Sequence, residues 1–292
     1  MLTDYHLHLR PDELSARARD HFTEANVARY RAVAGERGIA ELGVSEHVYR
    51  FEQALTVWQH PLWRELAVDD LDAYCEFVRT ATDLRLGIEA DFILGAEDRT
   101  ANLLDGHDFD YVVGSVHFLR EQSIDMDDYS VWDSNPAHPR STEQIWERYF
   151  HTLAAAARSG LFDILAHPDL IKVWGPAHPD RPMPEGDLRR YYEPAIEAIA
   201  ETQIAVEVST AGLRKPVHEL YPAQAFLEMC VDAGAPVALS SDAHRPQDVG
   251  ADYDQALRLL DRVGITELCV FERRTRRLEP IGDRVGARAS AR

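Results

Sequence analysis

The chain is 292 residues long, 45% hydrophobic and 28% charged, which suits one large α/β domain or two ordinary ones with a proper core. Its net charge of −19 argues against nucleic acid, since there is no basic face to displace counterions from phosphates. Three scattered cysteines, no run near 18 apolar residues and no basic, apolar leader argue against a disulfide scaffold, a membrane span and a secretory signal, so a cytoplasmic location is expected.

In chain order, short β-rich segments are predicted at 2–9, 39–48, 84–93, 109–118, 162–171, 204–210 and 236–244, with a weaker eighth at 266–272. Helical periodicity or composition fills 24–37, 69–82, 141–159, 187–202, 221–234 and 251–263. Strands alternating with helices of this length predict βα units and a parallel sheet, most economically one closed or nearly closed barrel. No linker cuts the chain, so one domain is expected over 1–282, with a disordered tail at 283–292. Irregular stretches at 49–68, 119–140 and 172–186 are rich in Trp, Pro and Asp, as lids or walls of a site often are. Neither a Gly-rich phosphate loop nor a GxSxG elbow is present, and "GAEDRTANLLDG" has the wrong spacing for one.

The predicted strands share one regularity. "DYHLH" places His6 and His8 at alternate positions, on the same face as Asp4. His47, Glu89, His117 and His167 follow near the C-terminal ends of four further strands, and Asp242 and His244 near that of the last. In a parallel barrel those ends converge on one face. A single histidine there is more often a hydrogen-bonded structural residue than a ligand. Six strands carrying such groups by accident is a poor explanation, and a metal centre is the better one.

Imidazoles and carboxylates without thiolate suit Zn, Mn or Fe. Eight ligands exceed the need of one ion, so two or three divalent ions are expected, with Glu89 as the bridging carboxylate. Such ions would lower the pKa of a bound water and clamp phosphoryl oxygens. They would also create a local positive well inside an acidic protein. The other seven histidines (21, 60, 107, 138, 151, 178 and 218) are read as solvated or capping groups.

The motifs "DYHLH", "SEH", "GIEADF", "GSVH", "AHPD" and "SSDAHRPQDVG", in this order from residue 2 to about 272, resemble those of the polymerase-and-histidinol-phosphatase (PHP) family. "FDYVVGSVHF", "STAGLRKP", "ELYPA" and "SDAHRP" are similar to its monofunctional histidinol-phosphatase branch. The resemblance implies a distorted (β/α)7 TIM-like barrel with a two- or three-metal cluster. One ion would take His6, His8, Glu89 and Asp242, and a second would share Glu89 with His117 and His167. A third would take His47, His244 and a loop ligand. Relatives often supply that ligand as a histidine at the position of Leu14, so Asp12, Glu13 or His21 would have to substitute, or the third ion would be weakly held or absent.

The resemblance further implies a metal-dependent phosphomonoesterase acting on L-histidinol phosphate in histidine biosynthesis, by in-line attack of a metal-bridging hydroxide. Lys172 matches a phosphate-contacting position of the family, and Arg214 and Arg245 are further candidates for binding the substrate. Water or a nearby acid, Asp242 or a histidine such as His244, would protonate the leaving alcohol, and Asp4 and Glu46 are candidates to orient imidazoles. The alternatives are a related phosphoesterase for another small monoester and a non-catalytic metal-binding regulatory module. A proofreading nuclease is disfavoured by the charge. The expected partner is a small phosphorylated metabolite, with neither nucleic acid nor membrane; the oligomeric state is open.

Overall fold

The computed structural model describes residues 1–13, 15–133 and 141–282. Leu14, His138 and the expected tail at 283–292 lie outside the described residues. Seven parallel strands form one sheet: β1 (Thr3–Asp4), β2 (Glu41–Val44), β3 (Arg85–Asp91), β4 (Tyr111–Ser115), β7 (Ile164–Leu165), β8 (Ala205–Ser209) and β9 (Val237–Ser240), hydrogen-bonded in that order. A parallel bridge between Leu7 and Ala243 joins the last stave to the first and makes the barrel nearly closed. Two antiparallel hairpins stand apart, β5 (Phe118–Leu119) with β6 (Gln122–Ser123), and β10 (Glu267–Glu272) with β11 (Thr275–Pro280).

Each strand is short because the chain leaves extended geometry at the rim, where the expected ligands lie. The helices bear out the periodicity: Glu24–Arg37, Leu71–Ala81, Thr142–Arg158, Arg189–Thr202, Gln224–Asp232 and Tyr253–Val263. Their apolar stripes pack on the outside of the barrel through Tyr74, Val78, Tyr149, Leu153, Ala195, Ile199, Phe226, Leu259 and Leu260. Thr23 and Asp70 cap their helices, and Ser141 with Gln144 forms a capping box. A further helix, Glu97–Asp105, occupies "EDRTANLLD", a stretch too polar to announce itself.

The eighth predicted strand exists but is not a stave. β10 pairs with β11, and its Cys269, Val270 and Phe271 pack with Tyr5, Tyr111, Val113 and Ile164. Phe271 meets Tyr5 edge-on at 5.7 Å, and the backbone N–H groups of Arg273 and Arg274 donate to Asp110, just ahead of β4. The hairpin therefore plugs the N-terminal end of the barrel and leaves only the opposite end open.

Candidate metal centre

At the open end all eight expected ligands meet. His6 and His8 follow β1, His47 follows β2, Glu89 lies in β3, His117 follows β4, His167 follows β7, and Asp242 and His244 follow β9. Two of them sit on left-handed backbone, His167 at φ 24° and Asp242 at φ 49°, a conformation non-glycine residues adopt at a cost of about 1–3 kcal/mol. Glu89 is the hub. Its carboxylate oxygens lie 3.3 Å from His6 Nε2, 3.6 Å from His8 Nε2, 2.5 Å from His47 Nδ1, 3.5 Å from His117 Nε2 and 3.3 Å from His167 Nε2. Asp242 Oδ1 is 3.7 Å from His6 Nε2, 3.4 Å from His8 Nε2 and 3.5 Å from His244 Nδ1.

These groups are close without satisfying one another. His6 Nε2, both ring nitrogens of His8, His47 Nδ1, Glu89 Oε2 and Asp242 Oδ1 are buried and have no hydrogen-bond partner. Each such group costs about 1–3 kcal/mol, so this concentration of them is not there for stability. Three sets, His6–His8–Asp242, His6–Glu89–His167 and His8–His47–His244, each place one donor atom per residue within 4.8 Å of the others. Oxygen and imidazole donors turned inward on a shared point are what a divalent ion requires. The centre fits divalent metal.

Electrostatics agree. Burial opposes ionisation of Glu89 and Asp242, yet the surrounding imidazoles hold both carboxyls well below their ordinary pKa. Burial and the neighbouring imidazoles push His8 well down, and burial also lowers His47. His6 goes the other way: burial disfavours its charge, but Glu207, Glu89 and Asp242 raise its pKa well above the usual value. Despite burial, Glu89 and Asp91 raise His117 to about 10.

The groups that aim the imidazoles are not the expected ones. His6 Nδ1 donates to Glu207 at 2.7 Å and His117 Nδ1 donates to Asp91 at 2.8 Å, which turns both Nε2 atoms to the centre. Glu207 also accepts from Ser240 Oγ at 2.5 Å and from the His167 backbone N–H at 2.6 Å. Asp4 instead accepts from Ser241 and the Gly250 N–H, tying β1 to the loop after β9. Glu46 accepts from the backbone N–H groups of Leu9 and Arg10 and from Arg50, bracing the loop after β1. Glu207 was not among the expected site residues; the lone acid of "IAVEVST", flanked by valines in a buried strand, is the signal that could have found it.

The expected cations are placed less uniformly. Lys172 is buried off the cavity wall, with Nζ 2.9 Å from Asp169, 3.2 Å from Glu219 and 2.9 Å from the Leu220 carbonyl. Asp169 lies three residues earlier in the same turn and takes up its charge. Arg214 donates to the carbonyls of Ser241 and Asp242, so it braces the ligand turn rather than facing the cavity. Arg245 is exposed, 3.8 Å from Glu13.

The cavity above the centre has a volume of about 450 Å³ and is walled by Leu62, Leu170, Val173, Trp174 and Tyr221. Its cations are Arg10, 3.2 Å from Asp69; Arg50, paired with Glu46 and Asp12; and Lys215, which forms no ion pair among the described residues. Asp12 also lines it, with Oδ2 3.1 Å from His244 Nε2 and Oδ1 3.9 Å from His47 Nε2. Of the remaining histidines, His60 accepts the Leu62 N–H as the cap of helix Pro61–Leu66.

The PHP domain model matches residues 6–211. A Deinococcus radiodurans protein named "Probable histidinol-phosphatase" is 32% identical over 242 residues, covering 80% of this chain and 86% of the relative. The chain belongs to the PHP family. The PHP relative named "Histidinol-phosphatase" in Bacillus subtilis is 28% identical over 190 residues, 61% of this chain and 70% of that one. The crystal structure of a histidinol phosphate phosphatase from Lactococcus lactis, complexed with Zn, L-histidinol and phosphate, superposes with a TM-score of 0.69 at 17% identity, covering 94% of this chain and 98% of that one. That likeness establishes the TIM-like fold for this PHP chain.

Proposed function

We propose that this PHP protein is a metal-dependent phosphomonoesterase whose substrate is L-histidinol phosphate. The single observation that carries the reading is the inward-facing cage around Glu89, at the floor of a cavity large enough for a small metabolite. The names of the relatives supply the substrate.

His6, His8, Glu89 and Asp242 would hold one ion, and Glu89, His117 and His167 a second. His47, His244 and Asp12 would hold a third; of the candidate substitutes, Asp12 has its carboxylate against both imidazoles. The absence of thiolate fits Zn, Mn or Fe. When bound, divalent ions supply Lewis acidity at phosphoryl oxygens and make water a stronger nucleophile at neutral pH.

The chain's own residues do the rest. Glu207 and Asp91 keep protons on Nδ1 of His6 and His117, so that the opposite nitrogens face the floor. Lys215 offers an uncommitted ammonium to the phosphate in place of Lys172. Hydrolysis breaks the ester P–O bond as water adds to phosphorus, and the leaving alkoxide must gain a proton. The surrounding imidazoles hold the Asp242 carboxyl well below its ordinary pKa, so it has no proton to give, and cavity water or a neighbouring imidazole supplies it.

The test is phosphate release by metal-reconstituted protein from L-histidinol phosphate and a panel of other monoesters. Wild type is expected to favour histidinol phosphate, and His8→Ala and Asp242→Ala to fall to the level of metal-stripped protein. Full activity in either variant would overturn the site assignment, and preference for another monoester the substrate.

A further inference from the structure

Beside the metal cage, one wall of the cavity carries a carboxylate whose charge helps to raise the pKa of His117 but which forms no ion pair or hydrogen bond with the ligands among the described residues. Asp125 lines the cavity, is half-buried and makes no ion pair among the described residues. Its hydrogen bond is a 3.3 Å contact from Ser123 Oγ to Oδ1. Every other acid of the cavity lining is engaged: Asp12 with Arg50 and His244, and Asp242 with the imidazoles.

The segment around Asp125 is held in place. Ser123 Oγ accepts from the Met126 N–H at 3.1 Å, and the Ile124 N–H donates to the His117 carbonyl at 2.8 Å. Trp174 Nε1 donates to the Ile124 carbonyl at 2.8 Å. Arg181 stacks on Trp174 at 3.8 Å and reaches Asp127 at 2.6 Å. The carboxylate is thus presented on a braced turn between the indole wall and the centre. A half-buried carboxylate with one long hydrogen bond, facing a cavity, is open to a ligand that brings a counter-charge.

We propose that Asp125 is a specificity residue that pairs with the ammonium of a phosphorylated amino alcohol while the phosphate lies on the metal floor. The inference rests on the phosphomonoesterase reading and sharpens it: the preferred substrates carry an ammonium on the carbon next to the phosphorylated one. Esters of equal size without the amine lose this pairing and gain nothing in its place. An overall acidic protein thereby selects a zwitterionic ester over simple anionic ones.

The experiment compares metal-loaded wild type, Asp125→Asn and Asp125→Glu on L-histidinol phosphate, on the same ester lacking the amine, and on p-nitrophenyl phosphate. In Asp125→Asn, kcat/KM for histidinol phosphate is expected to fall about 10- to 100-fold, as for loss of a partly buried charge pair. The two amine-free esters change by less than about threefold on the same scale. Asp125→Glu restores part of the preference. Calorimetric binding of L-histidinol, which needs no turnover, is expected to weaken about tenfold or more in Asp125→Asn. Equal losses on all three esters, or unchanged L-histidinol binding, would overturn the role of Asp125. A wild type that binds L-histidinol but releases phosphate from no ester would sink the phosphatase reading instead.

Discussion

His6 and Glu207 lie on staves far apart in sequence, yet His6 Nδ1 is 2.7 Å from Glu207 Oε1 in the buried floor of the barrel. A carboxylate there accepts the Nδ1 proton, fixes the tautomer and makes Nε2 the better metal donor. Glu207→Gln keeps the shape but removes the charge, and it sets an amide against the Ser240 hydroxyl and the His167 N–H. Metal affinity is expected to drop about 10- to 100-fold. Competition against a fluorescent chelator measures this, and unchanged affinity would show that Glu207 is merely structural.

Asp12 separates a two-ion from a three-ion centre. Asp12→Ala is expected to lower the metal content of purified protein by one equivalent out of three and to leave the fold unchanged. Asp12→His, which restores an imidazole to the loop, should recover it. Elemental analysis after exhaustive dialysis reads both. An Asp12→Ala protein with the wild-type metal content would remove Asp12 from the ligand set.

Metal uptake should release protons. Without metal, neighbouring carboxylates raise the pKa of His6, His117 and His244, that of His117 to about 10, so His117 is protonated at neutral pH and the other two rings hold a proton more firmly than a free imidazole. Ligation needs the neutral ring, so each must lose its proton and apparent affinity climbs with pH. Titration of metal into stripped protein in two buffers of different ionisation enthalpy gives the proton count, expected to be one or more. A count of zero, with affinity equal at pH 6 and pH 8, would contradict the charge pattern of the centre.

The barrel was legible because its staves are apolar segments at regular intervals, and the rim because six of the seven staves hand a ligand-type residue to one face. What sequence could not supply was partnership. "TELCVFE" reads as a strand, but its companion "TRRLEP" is polar and exposed, so the hairpin that plugs the barrel left no alternating pattern. Lys172 sits where a phosphate contact was expected, yet Asp169, three residues earlier in the same turn, claims its ammonium. Asp4 shares the His6 face but is bound to the loop after β9. For Asp4 the deciding partners lie 237 and 246 positions away, and that pairing exists only once the barrel has closed.

The glycine of "GIEADF" illustrates the same point and yields the last prediction. Gly87 lies in β3 opposite Tyr111 of β4, and a Cβ built on it would sit 2.3 Å from the tyrosine ring. Gly43 faces the same ring, with a Cβ 2.3 Å from the hydroxyl oxygen. Tyr111 therefore fills the barrel interior across two staves that have no side chains to offer, and its hydroxyl donates to the Tyr5 carbonyl at 2.6 Å beside the ligand strand. The ring is fully buried and has nowhere to retreat, so Gly87→Ala must move β3, which carries Glu89 two residues on. Overpacking of this kind costs about 1–3 kcal/mol. Urea denaturation of Gly87→Ala should show that loss, and pairing it with Tyr111→Phe should not relieve it, because the clash includes ring carbons. The displaced hub carboxylate should weaken metal binding as well, whereas a variant as stable as wild type and equally able to hold metal would mean that the ring has room to spare.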